Sequence, residues 1–173
     1  MADLTFNTPA NQTIEREKLI CYMNTGTATS PTWTALGKRV ADSSESYDWS
    51  EETQMDILGI VYTQLHKPQI SQTFDPVRLD SADSPAVKVW NIAIKDMNAK
   101  GLTNFDLLIV HLYAGTSDSA VFAERYDSCA VWPTGIGGAG GGEIEMPIEV
   151  RFGGNRTPGT ASITNGVVAF SAG

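Results

Sequence analysis

The decapeptide Glu143 to Phe152, EIEMPIEVRF, limits the possible folds more than any other stretch of the chain. A strand sends alternate side chains to opposite faces. Glu143, Glu145, Pro147, Glu149 and Arg151 therefore share one side, and Ile144, Met146, Ile148, Val150 and Phe152 share the other. The spacing predicts a surface strand with an apolar face in the core and a wet, mostly acidic face outside. Just before it, GIGGAGGG (residues 135 to 142) has too little side chain to pack and too much backbone freedom for a helix, so it reads as a loop.

A chain of 173 residues suits one domain with a self-sufficient core. A hydrophobic fraction of 42% and a mean hydropathy of -0.14 describe a globular protein. No apolar run approaches the roughly 20 residues that would cross a bilayer, so no membrane partner is expected. The opening MADLTFNTPANQTIEREKL lacks a basic segment followed by an apolar one, and the expectation is a protein retained where it is made. Cys21 and Cys129 are too far apart in sequence for a disulfide framework or thiolate metal site and read as small buried hydrophobes. The net charge of -8 weighs against a tight grip on nucleic acid phosphates. It leaves open contact with nucleic acid that does not hold it.

Residues 1–18 are polar and aperiodic, an arm that orders only against something else. LICYMN (19–24) and TWTALGKRV (32–40) read as strands around a turn cluster, TGTATSP. ADSSESYDWSEE (41–52) loses its apolar period and reads as a long exposed loop or an excursion between strands, after which Thr53 to Leu58 alternates again. In QISQTFDPVRL (69–79), Ile70, Gln72 and Phe74 share a side before Asp75-Pro76, where a bulge is expected. One helix is predicted over about 85–98, with Ser84 as N-cap, Pro85 in the first turn and Gly101 as the stop. Its apolar stripe is Val87, Trp90, Ala93, Ile94 and Met97, while Lys88, Asn91, Lys95 and Asp96 point away. FDLLIVHLY (105–113) reads as the buried centre of a sheet, AVFAERYDSCAVW (120–132) as its neighbour, and Gly166 to Phe170 as a last short strand. The expected class is mainly β, or α+β: an antiparallel sandwich or barrel-like core over 19–156 with one flanking helix, and a C-terminal arm or strand over 157–173.

Chemistry is sparse. Gly135, Gly137 and Gly140 fit a dinucleotide-binding glycine pattern, but a strand follows where a helix N-terminus is required. His66 and His111 have no metal-ligand spacing, and no triad is nominated. Glu143 and Glu145 could imitate the paired carboxylates of a glycosidase, but no cleft residues accompany them. The expectation is no enzyme, no catalytic residue, no metal and no cofactor.

The segment TWTALGKRVADSSESYDWSEETQMDIL, the strand QISQTFDPVRL, the single helix and FDLLIVHLY together resemble the major tail tube proteins of long-tailed, non-contractile bacteriophages. The likeness runs from about Leu19 to Phe152. It implies hexameric rings stacked into a tube, with one sheet per subunit lining a channel for the genome. On that likeness Glu143, Glu145, Glu149 and Arg151 are candidates to face the lumen. Asp42, Glu45, Tyr47, Asp48, Trp49, Glu51 and Glu52 are candidates for an inter-ring loop, with the two arms as further contacts. The implied partners are further copies of the chain, a tape measure protein, tail terminator and initiator proteins, and phage DNA passing without specific binding. The implied location is the virion, after assembly in the host bacterial cytoplasm. Two other readings stand beside it: the inner tube of a contractile injection or secretion system, and a carbohydrate- or receptor-binding sandwich using Trp33, Trp49 and Trp132.

Overall fold

The computed structural model describes residues 4–116 and 120–173, so the first three residues of the expected arm lie outside the described residues. In chain order the strands are β1 (Leu19–Asn24), β2 (Trp33–Ala35), β3 (Val40–Asp48), β4 (Glu51–Met55), β5 (Val61–Leu65), β6 (Gln69–Val77), β7 (Phe105–Gly115), β8 (Val121–Pro133), β9 (Ile148–Arg151), β10 (Arg156–Thr164) and β11 (Val167–Ala172). The α-helix α1 (Ser84–Trp90) continues through a π-helical turn to Lys95. All pairing is antiparallel, in the order β2-β1-β7-β8-β9-β6-β3, with β10 and β11 branching from β8. β4 and β5 form a separate hairpin. The fold is mainly β: a curled half-barrel with one helix.

β8 makes the curl possible, because its first part pairs with β7 and β10 and its last four residues pair with β9. β7 is buried on both faces. Leu107 and Ile109 join Met23, Phe74, Val131, Met146, Ile148 and Val150 in the main core, while Leu108 and Val110 join Trp33, Val121, Ala161 and Val168 in a second, smaller one. At its far end β7 bridges the arm, where Phe6 lies opposite Ala114 and Asn7 N donates to Tyr113 O at 2.9 Å.

Several expectations need correction. Residues 41–48 are not a loop but most of β3, paired along β6. Both faces of β3 are polar, so no apolar alternation marks it. The expected strand over 32–40 shrinks to β2 and a turn before β3. No bulge separates β6 from β3, since Asp42–Asp75 and Val40–Val77 keep one register across Pro76. The helix is capped by Asp83, whose carboxylate accepts from Ala86 N at 3.3 Å, not by Ser84. Its buried side is Pro85, Ala86 and Val89, and Val87 and Met97 are exposed. Lys88 does not point away: Nζ donates to Asn24 O at 2.9 Å and lies over the Phe105 ring.

The acidic decapeptide is a strand only over β9. Pro147 has no donor for a ladder bond, and upstream of it Glu145 bridges Arg78 and Gly137 instead. Met146, Ile148 and Val150 are buried as the alternation predicts, but Ile144 is 58% exposed.

Candidate functional site

The four-stranded part of the sheet, β3-β6-β9-β8, has a core face and a wet face. Register fixes the wet one. Ser44, Thr73, Glu149 and Trp132 form one cross-strand row; Ser46, Ser71, Arg151 and Ala130 form the next; Asp42 with Asp75 and Asp48 with Gln69 flank them. The face is therefore mostly hydroxyls and carboxylates on a regular ladder, interrupted by Trp132, Ala130, Gln69 and Arg151. Asp42, Asp48, Asp75 and Glu149 stand against Arg151 as its one cation.

Of the four lumen candidates, Glu149 and Arg151 lie on this face. Glu143 and Glu145 do not, since they precede β9 and sit near Arg78, at 3.3 and 3.7 Å from its Nε. Arg151 has no carboxylate within ion-pair distance among the described residues. The residues predicted as one inter-ring loop are divided between elements. Asp42 and Asp48 belong to the wet face, Glu45 and Tyr47 to the opposite, inward face of β3, Trp49 to the turn, and Glu51 and Glu52 to the hairpin. Sequence reading missed Ser71, Thr73 and Asp75, although the polar residues alternating with Ile70, Gln72 and Phe74 were a usable signal.

Behind this face lies a buried polar cluster. The Glu124 carboxylate accepts from Tyr126 Oη at 3.0 Å, from His111 Nε2 at 3.0 Å and from Arg156 Nε. With Nε2 donating, a neutral His111 ring accepts from Tyr113 Oη, 2.9 Å from Nδ1. Burial alone raises a carboxyl pKa, but these hydrogen bonds outweigh it and hold Glu124 down to about 2. Glu45, facing the same region from β3, is shifted the other way by burial, although the Tyr47 hydroxyl donates to it at 2.9 Å. The arrangement satisfies a charge within the sandwich, and Glu124, Tyr126 and Arg156 also line a hollow of about 440 Å³ with Tyr47, Trp49 and Phe152.

The half-barrel stays open between β1 and β3, where a cleft of about 820 Å³ is lined by Leu19, Cys21, Ser43, Gln72 and Phe74 among others. Arg16, in a single 3₁₀ turn, donates through Nε and Nη2 to Ser43 O at 3.1 and 2.9 Å and through Nη1 to Leu19 O. One guanidinium thus bridges this cleft between two strands that share no ladder. The two cysteines are buried free thiols, with burial pushing Cys129 up to about 12. Among the described residues no cluster of His, Cys, Asp or Glu is placed to hold a metal ion.

No protein-family model and no curated protein matches the chain. Solved structures do. The chain is similar to the sheath/tube terminator of an extracellular contractile injection system (PVC) in its extended state, with a TM-score of 0.53 and 9% identity over 87% of this chain and 99% of that one. A chain of the sheath-tube complex of the same kind of particle gives a TM-score of 0.50 at 9% identity, covering 94% of each. The tube-terminating cap of the anti-feeding prophage gives 0.52 at 9% identity, covering 90% of this chain and 96% of that one. At such identity the likeness concerns the fold.

Proposed function

We propose that the chain is a structural subunit of a phage-like tail tube, assembling as closed rings that stack around a bore lined by the β3-β6-β9-β8 face. The observation that carries this reading is that face itself: a ladder rich in Ser, Thr, Asp and Glu on a fold shared with a sheath/tube terminator and with a chain of a sheath-tube complex of injection particles. Six subunits giving four strands each would make a barrel of about 24 strands. With strands ~4.8 Å apart and tilted ~45°, its diameter is about 50 Å, which clears a duplex. A wall with surplus carboxylate does not displace counterions from phosphates and so does not hold DNA. Arg151 on this reading meets a carboxylate of the adjoining copy. Its partners are further copies, a tape measure protein within the bore, terminator and initiator proteins at the ends, and DNA in transit. Its place is the virion.

The likeness read from sequence points to a non-contractile phage tail, whereas the solved neighbours come from contractile particles and favour an inner tube beneath a sheath. Recruitment of a sheath protein onto assembled tubes separates the two. The carbohydrate-binding reading loses its platform, because Trp33 is buried in the second core while Trp132 and Trp49 belong to different surfaces. Electron microscopy of the purified chain tests the proposal. Rings or tubes are expected; a chain that stays monomeric at high concentration and binds glycans overturns it.

A further inference from the structure

β3 is the outer strand of the wet face, paired along one side with β6 and along the other with no strand among the described residues. Ile70 turns its carbonyl to β9, where it accepts from Phe152 N at 3.0 Å. Its ladder partner Tyr47 therefore turns its backbone groups away from β6, and at two-residue steps so do Glu45 and Ser43. A bare row of this kind is a template for another strand. The opposite border of the same four strands is bare too. β7 pairs with β8 no further than Cys129, and Thr134 N donates to Pro147 O on the β9 side at 2.9 Å, which leaves the backbone of Val131 and Pro133 facing outward. Pro133 has no N–H to leave unpaired and suits such an edge.

One acceptor of the β3 row is already taken. Ser43 O accepts from Nε and Nη2 of Arg16 at 3.1 and 2.9 Å. Paired strands run ~4.8 Å apart, and each N–H nitrogen then lies about 2.9 Å from the carbonyl oxygen it faces. An incoming strand would therefore place its donor where the guanidinium nitrogens stand. The turn that carries Arg16 lies alongside, since Glu15, Arg16 and Glu17 line the same cleft as Asp42, Ser43 and Ser44. Little else holds it. The turn buries none of its residues, Glu15 gives it no side-chain cap, and Arg16 is itself exposed. A guanidinium seated on the middle of the row is thus a cover that can leave.

We infer that the Arg16 turn is a latch on the β3 edge: in the unassembled chain its guanidinium covers Ser43 O, and it lets go when the β8 border of a second copy pairs there. The inference rests on the tube reading and adds the step that controls side-by-side joining of subunits. The bonds from Arg16 to Ser43 O exist only before joining, so they oppose it.

Light scattering and micrographs of the full chain read the protein concentration at which rings first form. Arg16→Ala should lower it about fivefold, the equivalent of one net hydrogen bond, although the same change lowers the urea midpoint of the unassembled chain. A side chain that merely supported the fold would move both toward weakness. Arg16→Lys keeps the charge without the planar fork, and should also assemble at a lower concentration than the unaltered chain. Amide exchange at Ser43, Glu45 and Tyr47 should be fast in the unassembled chain and slow in rings. A threshold unchanged or raised in Arg16→Ala overturns the latch. So does an Arg16→Lys chain that assembles like the unaltered one, or fast exchange at those three amides within rings. Each of these results leaves the tube reading standing. Absence of rings from all three chains overturns the tube reading as well.

Discussion

Glu124 and Glu45 face one another across the sandwich with opposite electrostatic histories, and this gives stability a maximum in pH. For Glu124 the folded pKa, about 2, lies below the unfolded value near 4.3. Its contribution is complete above the unfolded value and is lost as pH falls from about 4.5 toward 2, on the order of 2 kcal/mol after allowance for solvent screening. For Glu45 the folded pKa is raised by burial. Its contribution is complete below the unfolded value and is lost as pH rises through the folded one. Urea unfolding at pH 3, 5 and 7 should therefore show that Glu124→Gln removes much of the acid-side loss, while Glu45→Gln is more stable than the unaltered chain at pH 7. A second prediction concerns the glycine run. A Cβ on Gly138 would meet Glu143 O at 2.2 Å, whereas one on Gly140 meets nothing within 4 Å. Gly138→Ala should cost about 1–3 kcal/mol and Gly140→Ala less than about 0.5, in the same unfolding assay. The run thus includes a position of close backbone approach as well as open loop.

At the scale of elements, a short turn supplies a bridge across the open β1–β3 side of the half-barrel. Arg16 joins Leu19 O and Ser43 O across the β1–β3 seam. Because the residue is solvent-exposed, Arg16→Ala should cost about 1 kcal/mol, and hydrogen exchange should rise in β3 more than in β7. Legibility in the sequence also divided by element. β1 and β7 were readable because burial leaves long apolar runs that admit few alternatives. β3 was not, since its inward face carries Ser43, Glu45 and Tyr47, and Gln72 Nε2 donates to Ser43 Oγ at 3.0 Å where a hydrophobe was expected. The helix was placed correctly but phased wrongly, because two apolar sets lie at helical spacing, Val87-Trp90-Ala93-Ile94-Met97 and Pro85-Ala86-Val89-Ile92, and the second faces the core. The candidate face was half legible: Glu149 and Arg151 follow from alternation alone. Asp75 follows from the alternation of β6, whereas Asp42, on a strand polar on both faces, needs a pairing register that no local pattern records.

At the scale of the molecule, the proposed tube makes the wet face a joined surface, and its sign would decide what a bore built from it does. One copy contributes Asp42, Asp48, Asp75 and Glu149 against Arg151. On the proposed tube reading, a ring of such copies would multiply that surplus along a wall that DNA would pass. Replacing Asp42, Asp75 and Glu149 together by Lys converts the surplus to cations, and cations bind phosphates by releasing condensed counterions. All three side chains lie on the solvent side of their strands, so rings and tubes should still form with unchanged diameter in micrographs. The unaltered tubes should show no salt-sensitive retention of duplex DNA in a sedimentation assay. The triple variant should retain it at about 50 mM salt and release it steeply by about 200 mM. A variant changed instead at Glu143 and Glu145, which lie off the ladder beside Arg78, should leave retention as it was. The contrast separates charge on the bore from charge on the particle as a whole. Equal retention by both variants would place the DNA-facing wall on a different surface of the fold.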